Sequence, residues 1–98
     1  MDKRELAYSL LGKVPKDKVT TYAELARAAG TYPRAVAAFM KTNKDPEGVP
    51  CFRVVRSDGG MGGYSGPGGA RKKRELLERQ GIPVRNGKLN LERHIHRF

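Results

Sequence analysis

The 98-residue chain has one cysteine, two histidines and half as many acidic side chains as basic ones, and no apolar run near the length of a bilayer-spanning helix. Each shortage excludes something. Cys51 alone cannot close an internal disulfide, and one thiol with His94 and His96 falls short of a zinc ligand set, so neither a metal nor a cofactor is expected. Without a long apolar run, a soluble chain with no membrane contact is expected. Asp2, Lys3, Arg4 and Glu5 precede only a short apolar stretch, which does not read as a signal peptide, and an intracellular protein is expected. The glycines of residues 58–69 are not followed by the Gly-Lys-Ser/Thr helix start of a phosphate-binding loop.

Positive charge is abundant instead. Twenty Lys and Arg against ten Asp and Glu give a formal charge of +10, an attraction to polyanions that acts over the whole molecule. The excess is uneven: residues 71–98 hold nine basic and three acidic side chains, and residues 1–70 hold eleven and seven. A generic basic protein would show the same surface, so motifs must decide the partner. A chain of this length builds one core, giving a single domain over 1–98 with 82–98 as a basic C-terminal tail.

Leu6, Leu10 and Val14, with Ala7 and Leu11 beside them, recur at helical spacing, which predicts an amphipathic helix from residue 3 to about 12. Thr21-Tyr22-Ala23-Glu24 has the capping-box pattern, in which Thr21 accepts the Glu24 amide and Glu24 reaches back. A short helix to Ala29, ended by Gly30, follows. Pro33 suits the first turn of a third helix, whose Val36, Phe39 and Met40 form an apolar face opposite Arg34, Ala35, Ala38 and Lys41. Two short helices joined by a brief glycine-containing turn fit a helix-turn-helix and, equally, an ordinary helical hairpin. Val49–Arg56 reads as extended.

The glycine density from Asp58 to Gly69 requires a shaped loop, with Tyr64 and Ser65 presented at its middle. Residues 70–80 read as a helix with Leu76 and Leu77 inward and Arg71, Lys72, Lys73, Arg74 and Arg79 mostly outward. Beyond Pro83, Asn86-Gly87 signals a turn between two short strands. Residues 92–98 are either ordered or frayed.

Val49-Pro50-Cys51-Phe52-Arg53-Val54-Val55 resembles the active-site segment of the O6-alkylguanine-DNA alkyltransferases, whose pattern is Pro-Cys-His-Arg-Val. The likeness runs from about Val14 to Gly81 in the family's order. Val19-Thr20-Thr21-Tyr22 resembles the start of its helix-turn-helix, Arg34-Ala35-Val36 its recognition helix, and Asn43 the asparagine before its active site. Gly63-Tyr64-Ser65-Gly66 is similar to its substrate loop, and Leu76-Leu77 with Gly81 to its closing helix. Several motifs in one order are more specific than any alone.

The resemblance implies a mainly α fold with short strands, the winged-helix-like helix-turn-helix domain of the alkyltransferase C-terminal type. It implies a monomeric DNA repair protein that binds duplex DNA in the minor groove, flips out O6-alkylguanine and transfers the alkyl group irreversibly to Cys51. By the same resemblance, Arg34 would fill the vacated space in the stack and Tyr22 would press on the target phosphate, with Ala35, Ala38 and Lys41 completing the DNA face. Tyr22, Met40, Asn43, Val54, Tyr64 and Ser65 would form the lesion pocket, Asn43 bracing the active-site turn and the backbone around Cys51 and Val54 accepting the base's amino group. Read on their own, Arg34 is a surface arginine and Tyr22 a core aromatic; the family pattern reverses both readings. The location implied is cytoplasmic and nucleoid-associated, or nuclear in a eukaryote.

One departure bears on the chemistry. A free thiol with a pKa of about 8.5 is only a few per cent ionised at neutral pH. The family meets this with a histidine that deprotonates the cysteine through water and a glutamate that orients the histidine. Here those positions are Phe52 and Gln80, a paired loss that avoids leaving a buried carboxylate without a partner. Two readings stay open. Either Cys51 still attacks, helped by proximity, basic surroundings and helix dipoles, or the pocket only binds. The alkyltransferase-like proteins take the second course, holding O6-alkylguanine and flagging it for nucleotide excision repair proteins. They are about this short and usually carry Trp or another residue in place of the nucleophile, whereas Cys51 is kept here. His94 and His96 are placed in a solvated tail rather than as replacement bases.

Overall fold

The Asp2 carboxylate accepts the Glu5 amide at 2.8 Å and starts the first helix of the computed structural model, which describes residues 1–64 and 66–98. The elements are α1 (Lys3–Leu11), β1 (Thr20–Thr21), α2 (Tyr22–Ala29), α3 (Pro33–Lys41), a 3-10 turn (Cys51–Arg53), β2 (Val54–Val55), α4 (Gly69–Arg79) and α5 (Leu91–His94). The architecture is mainly helical with short strands, as expected.

Ala7 and Leu11 of α1 are fully buried, and the Tyr8 hydroxyl donates to the Phe39 carbonyl at 2.6 Å, pinning α1 to α3. Thr21 Oγ1 accepts the Glu24 amide at 3.0 Å at the start of α2. Gly30, with φ +72°, closes that helix in the left-handed conformation open to glycine. The reciprocal half of the expected capping box does not form. Glu24 instead takes the Arg27 guanidinium at 2.7 Å, a charge-assisted pair, and accepts the distant Phe98 amide at 2.8 Å.

β1 and β2 pair in parallel, Thr20 opposite Val54 and Thr21 opposite Val55. The 3-10 turn before β2 lies between two apolar clusters. Cys51 joins Leu11, Leu25, Val36, Met40 and Val54 on one side, while Phe52 joins Val19, Val55, Leu77, Ile82 and Val84 on the other. The stretch expected to be extended from Val49 is therefore a turn as far as Arg53. Asn43 forces it, its Nδ2 donating to the Val49 carbonyl at 2.9 Å and its Oδ1 accepting the Asp45 amide at 3.0 Å.

The C-terminal segment is not a solvated tail. Ile82, Val84 and Leu89 are buried in the second cluster, and Val19 donates to the His94 carbonyl at 2.9 Å and accepts the His96 amide at 2.7 Å. The segment thus lies in parallel beside β1 through a Val19–Ile95 bridge, leaving His94 and His96 half-buried. Asn86 (φ +54°) and Gly87 (φ +74°) make the expected turn, closed by Arg85 and Lys88 exchanging hydrogen bonds of 2.8 and 3.0 Å. The flanking strands are a single bridge long. Lys73, expected to point outward, is fully buried.

Candidate active site and nucleic-acid interface

Cys51 opens the 3-10 turn and stands 4% exposed at the side of a cavity of about 530 Å³ lined by Tyr22, Ala37, Met40, Lys41, Cys51, Gly63 and Tyr64. Three separate segments bring the other six residues to Cys51. Tyr22 is the first residue of α2, Ala37, Met40 and Lys41 come from α3, and Gly63 and Tyr64 come from the glycine-rich loop. Gly62 lets that loop close on Tyr22. Its φ is +73°, and a Cβ there would stand 2.9 Å from the Tyr22 hydroxyl, so any side chain would push the loop and the ring apart.

Of the expected pocket residues, Tyr22, Met40 and Tyr64 surround Cys51, and two others do not reach the cavity. Asn43 is buried behind it, bracing the Val49 end of the turn. Val54 belongs to the core, and its carbonyl already receives Lys73 Nζ at 2.7 Å. Ser65 lies outside the described residues. Burial, and then the charge of Cys51, pushes the Tyr22 hydroxyl above its ordinary value of 10.0. Tyr64 is raised for the same two reasons, with Glu47 adding to them. Both phenols are therefore neutral hydrogen-bonding groups at physiological pH.

The relay positions face elsewhere. Phe52 packs in the second cluster beneath the Arg53 guanidinium, 4.8 Å above its ring. Arg53 donates to Gln80 Oε1 at 3.1 Å and to the Pro15 carbonyl at 3.1 Å. Phe52, Arg53 and Gln80 line a separate cavity of about 960 Å³ that shares only Tyr64 with the first. The family's histidine position is filled by the uncharged ring of Phe52. Among the described residues, no three His, Cys, Asp or Glu side chains converge to hold a metal.

Beside the Cys51 cavity, α3 exposes Arg34, Ala37, Ala38 and Lys41, a stripe at the i, i+3, i+4, i+7 spacing of one helix face. Ala35, expected on that face, is half-buried next to Val36. Arg34 and Lys41 have no hydrogen-bond or ion-pair partner among the described residues. Sequence reasoning passed over Ala37, although its place three residues after Arg34 and four before Lys41 was a usable signal. Gly63, the first residue of the loop motif, is at the cavity as that motif implies, whereas no local pattern marks the buried Lys73.

Residues 2–82 match the family described as 6-O-methylguanine DNA methyltransferase, DNA binding domain. The chain belongs to that family. This alkyltransferase-family domain is 43% identical over 89 residues to the bifunctional methyltransferase/endonuclease of Picrophilus torridus, covering 89% of this chain and 29% of that protein. It is 47% identical over 81 residues to the methylated-DNA–protein-cysteine methyltransferase of Pyrobaculum aerophilum, covering 83% of this chain and 51% of the relative. The domain thus spans no more than about half the length of either relative. The structure of S. pombe Atl1 in complex with damaged DNA containing O6-carboxymethylguanine superposes with a TM-score of 0.87 at 28% identity, over 98% of this chain and 95% of the other. The alkyltransferase-type architecture implied by the active-site segment is the one observed.

Proposed function

We propose that this domain binds duplex DNA along α3, receives an extruded O6-alkylguanine in the cavity beside Cys51, and takes the alkyl group onto the Cys51 sulfur. The observation that carries the reading is a cysteine lining a cavity next to a helix face of small residues and unpaired cations. At about 530 Å³ the cavity falls within the roughly 300–1,000 Å³ of small-ligand sites. Tyr22, Met40 and Tyr64 offer the aromatic and apolar surface against which an unstacked purine is held.

The chemistry is one displacement. The sulfur attacks the alkyl carbon, an S–C bond forms, and the C–O6 bond breaks with its electron pair going to the guanine. The proton lost by the thiol balances the one the guanine takes up on its ring, and the protein ends as a thioether that cannot turn over. Holding the carbon against the sulfur replaces a bimolecular encounter, the largest help available without a general base.

A second reading follows from Phe52 and Gln80, which leave no relay, and from the whole-chain likeness to Atl1: the domain holds the lesion and flags it to nucleotide excision repair proteins without transfer. Mass spectrometry after incubation with an O6-methylguanine duplex separates the two. The expected result is one hydrogen replaced by one methyl on Cys51, abolished in Cys51→Ser while lesion binding survives. Selective binding with an unmodified Cys51 would leave the sensor reading, and equal affinity for undamaged DNA would remove both.

A further inference from the structure

Lys73 lies on α4 with no exposed surface, although the pattern of α4 places it among outward-facing basic residues. Burying an ammonium is costly where a methionine would fill the same space, and here its three donors meet two fixed acceptors. Nζ donates to the Val54 carbonyl at 2.7 Å and to the Gly63 carbonyl at 2.9 Å. Those carbonyls belong to two segments that supply the cavity's lining: Val54 follows the turn that carries Cys51, and Gly63 lies in the loop that carries Tyr64. Among the described residues, the bond to Gly63 is the single hydrogen bond that fastens 62–64 to the body of the domain.

We propose that Lys73, in its protonated form, is a positioning residue that straps the glycine-rich loop to the strand beyond Cys51 and so sets the cavity's fit to an extruded base. This rests on the function proposed above. The strap is charge-dependent, because an ammonium binds carbonyls about twice as strongly as a neutral amine does. Burial brings Lys73 down from the ordinary 10.5 to about 8, with Cys51 pushing it back up. Around it, Tyr22 and Tyr64 are held neutral beside the same sulfur. Lys72 and Arg74, its neighbours on α4, are engaged with Glu75 and Glu78.

The sign of the pH dependence separates a strap from a mere filler. Lys73 gives up its proton sooner in the folded protein than in the unfolded chain. Its contribution to stability therefore rises as pH climbs from about 8 to 10.5, while the strap weakens over the same interval. Lesion preference and stability should move in opposite directions.

The test uses the full chain carrying Cys51→Ser, which removes transfer. Affinities for an O6-methylguanine duplex and its undamaged twin are measured from about pH 7 to 9.5, together with the melting temperature. The expected preference for the lesion falls about tenfold with no matching loss of stability. Adding Lys73→Arg, which stays charged, should flatten the profile, and Lys73→Met should leave it low and flat. A preference that does not change with pH, or one retained in full by a folded Lys73→Met, overturns the strap. Should Lys73→Met fail to fold, the profiles of the other two proteins still decide.

NMR relaxation of the Gly62 and Gly63 amides without DNA supplies an independent readout. Loss of order tracking the Lys73 titration supports the strap, and unchanged order overturns it. A protein with no lesion preference even at neutral pH would refute the proposed function alone, leaving the strap to be judged by relaxation.

Discussion

Helices α3 and α4 are both basic, yet they use their charge in opposite ways. On α4, Lys72 and Arg79 share Glu75, Arg74 pairs with Glu78, and Lys73 turns inward, which leaves Arg71 alone without a partner among the described residues. On α3, Arg34 and Lys41 have no partner among the described residues, and small side chains separate them. Charge counted along the chain points to the C-terminal third as the polyanion-binding part. Compared helix by helix, α3 keeps both of its cations unpaired, whereas α4 keeps one of five among the described residues. A cation already satisfied by a neighbouring carboxylate has little left to offer a phosphate.

Three substitutions sharpen or break this contrast. Arg34→Ala is expected to have the largest effect, weakening binding to an O6-methylguanine duplex by about 1–3 kcal/mol and to undamaged duplex by less. Equal losses in a fluorescence-anisotropy titration would reduce Arg34 to a phosphate contact. Lys41→Ala should weaken both duplexes alike and lower the slope of log affinity against log salt by about one. A lesion-selective loss would instead place Lys41 against the base. Arg74→Ala on α4 is expected to change neither binding nor thermal stability by more than about 0.5 kcal/mol. An effect as large as that of Arg34→Ala would bring α4 onto the DNA and end the contrast.

Much of the fold is legible in the sequence. Thr21, Gly30 and Pro33 act at helix ends, where the chemistry is local and the backbone needs a particular residue. Asn86-Gly87 likewise requires two positive φ angles and finds them. The features that escaped depend on partners far along the chain. Nothing around Glu24 announces that its carboxylate will meet the amide of Phe98, 74 residues away. The same holds for Lys73, whose acceptors are backbone groups 10 and 19 residues distant. A helical wheel sorts side chains by polarity, and it misfiles a lysine whose cage is made of carbonyls. Ala35, expected outward, turns partly inward for a simpler reason: alanines on either side of Val36 carry no polarity to say which one faces out, and only the packing of Val36 decides.

The short turn from Cys51 to Arg53 distributes three consecutive side chains among three compartments: a sulfur at the open cavity, a benzene ring in the second apolar cluster, and a guanidinium among carbonyls and Gln80. Reactivity and structural support are thereby divided between neighbours. A lineage can exchange the residue at one position while its neighbour keeps the scaffold intact, so loss or recovery of chemistry need not pass through a misfolded ancestor.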